Sequence, residues 1–338
     1  MSARAQILPV FVPHLGCMHA CVFCNQRRIS GAQRPATPED VKNCTARSAA
    51  FLPEGGKRQL AFYGGSFTAI PEKEQEALLR AAKEALDRGE IDAIRLSTRP
   101  DAIDNTVLER LRRYGVGTVE LGAQSMDDGV LRLSGRGHTA ADVERAARLV
   151  KAAGFELVLQ MMTGLPGSTD DKDVETARRL IKLKPDGARV YPTVIVRDTP
   201  LCDMWARGAY REHTVEDAVR VCARIVPLFE AAGIPIIRLG LNPTEELSGG
   251  AAVAGAYHPA LGELVKSRIL LDRARTLLQG AAPGSRVTLT VGRGKTSQMT
   301  GQKRENLRRL TEEFGLADLR VQEIPSENGE ILGVSVEE

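Results

Sequence analysis

Cys17-Met18-His19-Ala20-Cys21-Val22-Phe23-Cys24 places three of the chain's six cysteines within eight positions, spaced C-x3-C-x2-C. Six cysteines scattered at random through 338 residues would not fall so closely together. Thiolates select zinc, copper(I) or iron–sulfur clusters. A structural zinc site takes four protein ligands, and only three cysteines converge here. Three thiolates suit a [4Fe–4S] cube whose fourth iron is left open to a ligand. Two other readings of the same residues stand beside it: a zinc site completed by His14 or His19, and a disulfide with a spare thiol.

Before this loop, residues 6–14 read as a buried strand despite Pro9. After it, Thr37 offers an N-cap, Pro38 a first helical residue and Glu39-Asp40 an acidic first turn, for a helix running to 52. The unit then repeats. Strands are expected at 59–63, 91–96, 118–123, 155–162 and 188–194, with a seventh at 234–239. Helices are expected at 71–87, 103–113, 139–153, 170–183 and 215–232, with Gly154 and Gly233 where a helix end wants a left-handed residue. Strands alternating with helices of this length indicate an α/β protein with a parallel sheet. Six or seven βα units suit a partial (β/α)6 TIM-like barrel better than a doubly wound sheet. The motifs that could carry chemistry all fall just after a strand, where a barrel builds its active site. Beyond 242 the alternation stops. Residues 241–255 read as a loop, 259–278 and 305–314 as helices, 286–291 as a strand, and 319–324 with 331–336 as a closing pair of strands. The domain reading is therefore a barrel at 1–242 and a small helical and α+β extension at 243–338.

Hydrophobic residues make up 43% of the chain, ample for a core. No apolar run approaches the ~20 residues that cross a bilayer, and no cleavable leader is evident, so a cytoplasmic protein with reduced thiols and no membrane partner is expected. A net charge of +3 argues neither for nor against nucleic acid. Locally the picture differs: 286–309 holds seven basic residues (Arg286, Arg293, Lys295, Lys303, Arg304, Arg308 and Arg309) against Glu305 alone. That segment could face phosphates or be a solvated basic face. Gly64-Gly65 lets a ligand approach the backbone, or makes a plain tight turn. Gln124 could hold a carboxylate or ribose, or cap its strand. Arg136 could pair with a carboxylate, or lie exposed. Cys44, Cys202 and Cys222 are scattered and read as structural thiols, with an auxiliary cluster as the alternative.

Taken together these stretches resemble the radical S-adenosylmethionine enzymes, and within them the radical domain of the Elongator catalytic subunit and its bacterial relatives. The resemblance covers roughly residues 6–240. It is carried by Cys17-x3-Cys21-x2-Cys24, Tyr63-Gly64-Gly65-Ser66-Phe67, Thr98-Arg99-Pro100-Asp101 and Val119-Glu120-Leu121-Gly122-Ala123-Gln124-Ser125. Gly135-Arg136-Gly137-His138-Thr139, Met162-Thr163-Gly164-Leu165-Pro166-Gly167 and Val190-Tyr191-Pro192-Thr193 extend it. The resemblance implies a [4Fe–4S] cluster on Cys17, Cys21 and Cys24, with S-adenosyl-L-methionine on the free iron. One electron would split it to methionine and a 5′-deoxyadenosyl radical that takes a hydrogen atom from the substrate. An electron donor such as flavodoxin or ferredoxin and a tRNA substrate are implied with it.

Phe23 resembles the aromatic near the adenine, and Gly64, Gly65 and Ser66 the amino-group contact. Ser97, Gln124, Arg136 and Gln160 match positions that contact ribose and carboxylate. Three of these depart from the pattern of relatives such as oxygen-independent coproporphyrinogen oxidase: Ser66 replaces an acid, Ser97 a glutamate and Gln160 an aspartate. Only about 100 residues follow the barrel, without the Elongator subunit's acetyltransferase domain, so a complete wobble-uridine acetyl-group transfer on this chain is not expected, and a paralogue with another substrate stands as a further reading. A radical enzyme acting on a small metabolite and a non-catalytic metal-binding module are the other function classes.

Overall fold

In a computed structural model, residues 6–49, 57–325 and 331–337 are described. Seven parallel strands form the main sheet: β1 (Gln6–Phe11), β2 (Arg58–Tyr63), β3 (Ala93–Thr98), β4 (Val116–Gln124), β5 (Glu156–Thr163), β6 (Gly187–Pro192) and, after the short β7 (Val194–Val196), β8 (Ile236–Leu239). Their spatial order is β1-β2-β3-β4-β5-β6-β8. Each step goes the same way, so the sheet never reverses at a switch point as a doubly wound sheet does. It curls instead. Tyr63 on β2 and Arg189 on β6 touch at 2.8 Å although three strands lie between them. This is the partial barrel expected from the alternation.

Why these residues make these elements is visible in the burial. β2, β4 and β5 are buried almost throughout, as strands covered on both faces must be. The helices carry strong start signals. Thr139 and Asp142 form a reciprocal capping box at the start of Ala140–Ala152. Thr37 and Asp40 make the same exchange at Pro38–Ala49; the expected last turn at 50–52 lies outside the described residues.

Three expectations are corrected. The strand expected at 188–194 breaks at Pro192, whose nitrogen cannot donate to a ladder. β7 beyond it pairs antiparallel with β9 (Ala252–Gly255), inside the stretch expected to be loop. Its Gly/Ala-rich sequence hides a strand that long-range pairing creates. The last two strands, β11 (Asp318–Ile324) and β12 (Ile331–Glu337), do not pair with each other. They flank β10 (Arg286–Gly292), β11 parallel and β12 antiparallel to it. β10 is central because it buries Val287, Leu289 and Val291.

The chain forms two compact units, residues 1–214 with 225–259, and 215–224 with 260–338. The second has its own core. Leu270, Leu271, Ala274 and Leu278 of helix Leu261–Leu278 pack with Leu307 and Leu310 of helix Glu305–Phe314 and with the β10 side chains. Among the described residues no helix is long and apolar enough to cross a membrane.

Candidate active site at the strand ends

The cysteine loop leaves β1 at Phe11 and is gripped from two sides. On one side lies the turn after β2. Val12 N–H donates to the Tyr63 carbonyl (2.8 Å), His14 N–H to that of Gly64 (2.9 Å) and Ser66 N–H to that of Leu15 (2.9 Å). The contact is so close that a Cβ on Gly65 would lie 2.4 Å from the Leu15 carbonyl oxygen and 2.5 Å from that of Val12. The close approach that Gly64-Gly65 offers is thus taken, at Gly65, by the chain's own backbone. On the other side lies the segment after β4. Val22 N–H donates to the Ser134 carbonyl (3.1 Å). A Cβ on Gly135 would sit 2.8 Å from the Ala20 carbonyl, and one on Gly137 would fall inside the His19 ring.

Held this way, each thiol meets a polar group. Ser66 Oγ is 3.9 Å from Cys17 Sγ, Arg136 Nη1 donates to Cys21 Sγ at 3.2 Å, and Gln26 Nε2 donates to Cys24 Sγ at 3.1 Å. Burial and the neighbouring Cys21 and Cys17 push the Cys24 thiol up to about 12. A thiol so placed loses its proton at neutral pH when a cation takes the charge. All six cysteines are free thiols, so the disulfide reading falls. Among the described residues no three His, Cys, Asp or Glu side chains converge on a single-ion site. His14 Nε2 is already accepting from Gln26 N–H at 3.0 Å, and the His19 ring lies on Gly137. Three thiols on one clamped loop, two with a hydrogen-bond donor and the third near a hydroxyl, fit a cube that takes each thiolate at a separate corner.

The other candidate residues gather nearby. Gln124, the last residue of β4, sits at φ 64°, in the left-handed region, just after a bulge at Gly122. Such strain in a non-glycine residue collects at functional sites. Its Oε1 accepts from Gln160 Nε2 at 3.0 Å, so these two predicted residues meet. Arg136 joins the loop to the sheet: besides Cys21 it donates to the Gly122 carbonyl (2.9 Å) and lies 3.5 Å from His138 Nδ1. Burial and Arg136 hold His138 at about 4, so the ring is neutral; its Nε2–H donates to the Ala123 carbonyl at 3.1 Å, leaving Nδ1 to face the guanidinium. Arg136 Nε is buried without a partner. Phe23 packs with Val130, Met162, Leu165 and Tyr191. Ser97 does not join the glutamine pair; its hydroxyl is 3.4 Å from Glu120.

Sequence reasoning missed two groups. One is a charged network on the concave face of the sheet, comprising Tyr63, Arg95, Glu120, Arg189 and Tyr191. Its signal was present: Arg95 and Glu120 are ionisable residues inside strands otherwise buried. The other fixes the turn after β5. Asp173 accepts from Gly164 N–H (2.9 Å) and Ser168 Oγ (2.5 Å), and Tyr210 Oη donates to the Gly164 carbonyl (2.6 Å). Burial, aided by Asp170, pushes the Asp173 acid up to about 7. The native state then keeps a proton that the unfolded chain releases near pH 4. The stability this contributes is full below that pH and is lost as pH rises through about 7. Asp173→Asn is expected to flatten the dependence of Tm on pH over this window. An unchanged slope would show that the dependence arises elsewhere.

Residues 11–180 match the Radical SAM superfamily and 185–270 the radical SAM C-terminal domain. The chain belongs to the radical SAM superfamily of enzymes. Within it, the chain is homologous to the radical SAM region of Elongator complex protein 3. The human protein of that name is 31% identical over 192 residues, covering 51% of this chain and 35% of its own length. The tRNA uridine(34) acetyltransferase of Methanocaldococcus infernus is 27% identical over 198 residues, covering 57% and 37%. The chain thus spans about a third of the length of these relatives. Among solved structures, the M. infernus Elp3 with an N-terminal deletion aligns with a TM-score of 0.63 at 19% identity, over 86% of this chain and 72% of that one. Methylornithine synthase aligns with a TM-score of 0.51 at 18% identity, over 76% and 73%. Both likenesses are of the fold.

Proposed function

We propose that this chain holds a [4Fe–4S] cluster on Cys17, Cys21 and Cys24 and uses it with S-adenosylmethionine to modify tRNA. The observation that carries the proposal is the doubly clamped cysteine loop at the strand ends, with a hydrogen-bond donor on Cys21 and on Cys24 and a hydroxyl near Cys17. When bound, the cluster and cofactor would supply one-electron cleavage of the sulfonium and a hydrogen-abstracting adenosyl radical. The chain's own residues position and shield that chemistry. Arg136 steadies the Cys21 sulfur while His138 steadies Arg136. Gln124 and Gln160 present amides to a ribose or carboxylate. Phe23 covers the site on the β5 side. The cofactor roles of Gly64, Gly65, Ser66 and Ser97 belong to the same proposal, as do a cytoplasmic setting and a low-potential donor such as flavodoxin or ferredoxin.

RNA as substrate draws support from two directions. One relative is named for a tRNA uridine. In the second unit, Arg286, Arg293, Lys303, Arg304, Arg308 and Arg309 are exposed, and Arg309 pairs with Glu305. Lys303 and Arg304 lie at φ 50° and 61° in a turn pinned by buried Asn306, which donates to Ser267 Oγ (2.9 Å) and the Met299 carbonyl (3.1 Å). Anaerobically reconstituted protein is expected to be brown, to carry about four iron per chain and, once reduced with dithionite, to release 5′-deoxyadenosine. Bulk tRNA is expected to bind with an affinity that falls steeply with salt. Colourless protein holding one zinc would overturn the enzyme reading. Absent tRNA binding, with 5′-deoxyadenosine release stimulated by metabolite extract, would move the substrate to a small molecule.

A further inference from the structure

The charged network on the concave face is unbalanced. Glu120 is almost fully buried, and its Oε1 accepts from Tyr63 Oη (3.0 Å), Arg95 Nη1 (3.0 Å) and Arg189 Nη2 (3.1 Å). Arg189 Nε lies 2.8 Å from Oε2. Arg189 also reaches Tyr191 Oη (3.0 Å) and Tyr63 Oη (2.8 Å), and its guanidinium lies over the Tyr63 ring. Both phenols are neutral: burial pushes Tyr63 and Tyr191 up from their ordinary values. Two guanidiniums therefore share one carboxylate, and Glu120 is the only acid with which either makes an ion pair among the described residues. Arg95 is 9% exposed, and among the described residues its Nε has no partner. A second full positive charge in so dry a place is costly unless an anion completes it.

The network also lies beside the candidate cofactor groups. Ser97, on the same strand as Arg95, is 3.4 Å from Glu120 Oε2. Glu120 and Gln124 share β4, and Arg189 is registered opposite Gln160. An anion seated on Arg95 and Arg189 would hold its parent molecule inside the partial barrel next to the place where hydrogen abstraction is proposed. Guanidiniums recognise carboxylate and phosphate by the same charge-assisted hydrogen bonds. We propose that Arg95 and Arg189, fixed by Glu120 and flanked by the Tyr63 and Tyr191 hydroxyls, form the receptor for an anionic group of the substrate, a phosphate or a carboxylate. This rests on the reading above for what the site does, but not for whether the anion binds.

The test therefore uses thermal unfolding of the full chain, which needs neither cluster nor S-adenosylmethionine. Inorganic phosphate and sodium acetate are each compared with sodium chloride at equal ionic strength. For the wild type, saturating probe is expected to raise Tm by about 2–4 °C over chloride. Arg95→Met should abolish that rise while leaving Tm in chloride equal to or above the wild type, because it removes the surplus charge. Arg189→Met is the second variant, should Arg95→Met fold poorly. Arg80→Gln, on the exposed face of helix Glu72–Asp87, should keep the full rise. A rise with phosphate that Arg95→Met loses assigns a phosphate-bearing substrate; one with acetate alone assigns a carboxylate. No rise, or the same rise in wild type and both Met variants, would overturn the proposal. Failure of 5′-deoxyadenosine release with the rise intact would count against the radical chemistry and leave the anion site standing.

Discussion

Cys21→Ala is expected to reduce S-adenosylmethionine cleavage to the level of a reaction without protein. Loss of a group that only touches a metal ligand already costs about 10–100-fold in metal affinity or activity. Cys21 is proposed as a ligand itself, and its sulfur is the one Arg136 holds. With two thiolates left on the loop, a cube would have two unprotected corners. The measurement is iron per chain and 5′-deoxyadenosine after anaerobic reconstitution. Iron should fall well below the wild-type value and product should vanish together with it. Cys44→Ser provides the contrast. Cys44 lies on helix Pro38–Ala49, where burial raises its thiol, and nothing brings it to the loop. Iron and product are expected to be unchanged there. A Cys21→Ala protein that cleaves at the wild-type rate would remove the cluster from this loop.

The readiness with which the sequence yields this assignment differs from feature to feature. β2 and β5 carry short apolar runs (Leu60–Tyr63, and Leu157–Met162 broken by Gln160), and Thr139 and Asp142 mark their helix start by chemistry that is local in the chain. The cysteine spacing is local too. What escaped notice is what only three dimensions can join. Val194–Val196 becomes a strand because Ala252–Gly255 lies beside it, and neither segment announces the other. Glu120 meets Arg95 from 25 residues away and Arg189 from 69. A charge inside a buried strand was visible in each case, but its partner was not. Gly65 was legible as a place needing close approach. That Val12 and Leu15 are among the groups that approach it follows from the way β1 feeds the loop over β2.

That packing makes Gly65→Ala the second large effect expected. Gly65 does not have the left-handed backbone that penalises a side chain by itself. The obstacle is space: the new methyl would meet the Leu15 oxygen at 2.4 Å, the Val12 oxygen at 2.5 Å and the Leu15 nitrogen at 3.2 Å. All three are backbone atoms and cannot rotate away. Overpacking of this kind costs about 1–3 kcal/mol, or about 1–4 °C in Tm for a chain of this size. The cheaper relief is for the loop to lift, and Cys17 follows Leu15 by two residues. Iron retention is therefore expected to fall more sharply than Tm. Gly137→Ala should be milder, because the group in its way is the His19 side chain, which can swing aside. Gly262→Ala, in helix Leu261–Leu278 with open space around it, should keep its iron and gain slightly in stability. The order of iron retention, Gly262→Ala above Gly137→Ala above Gly65→Ala, is the result to look for. If Gly65→Ala retained as much iron as Gly262→Ala, the turn after β2 would not be what holds the cysteine loop in place.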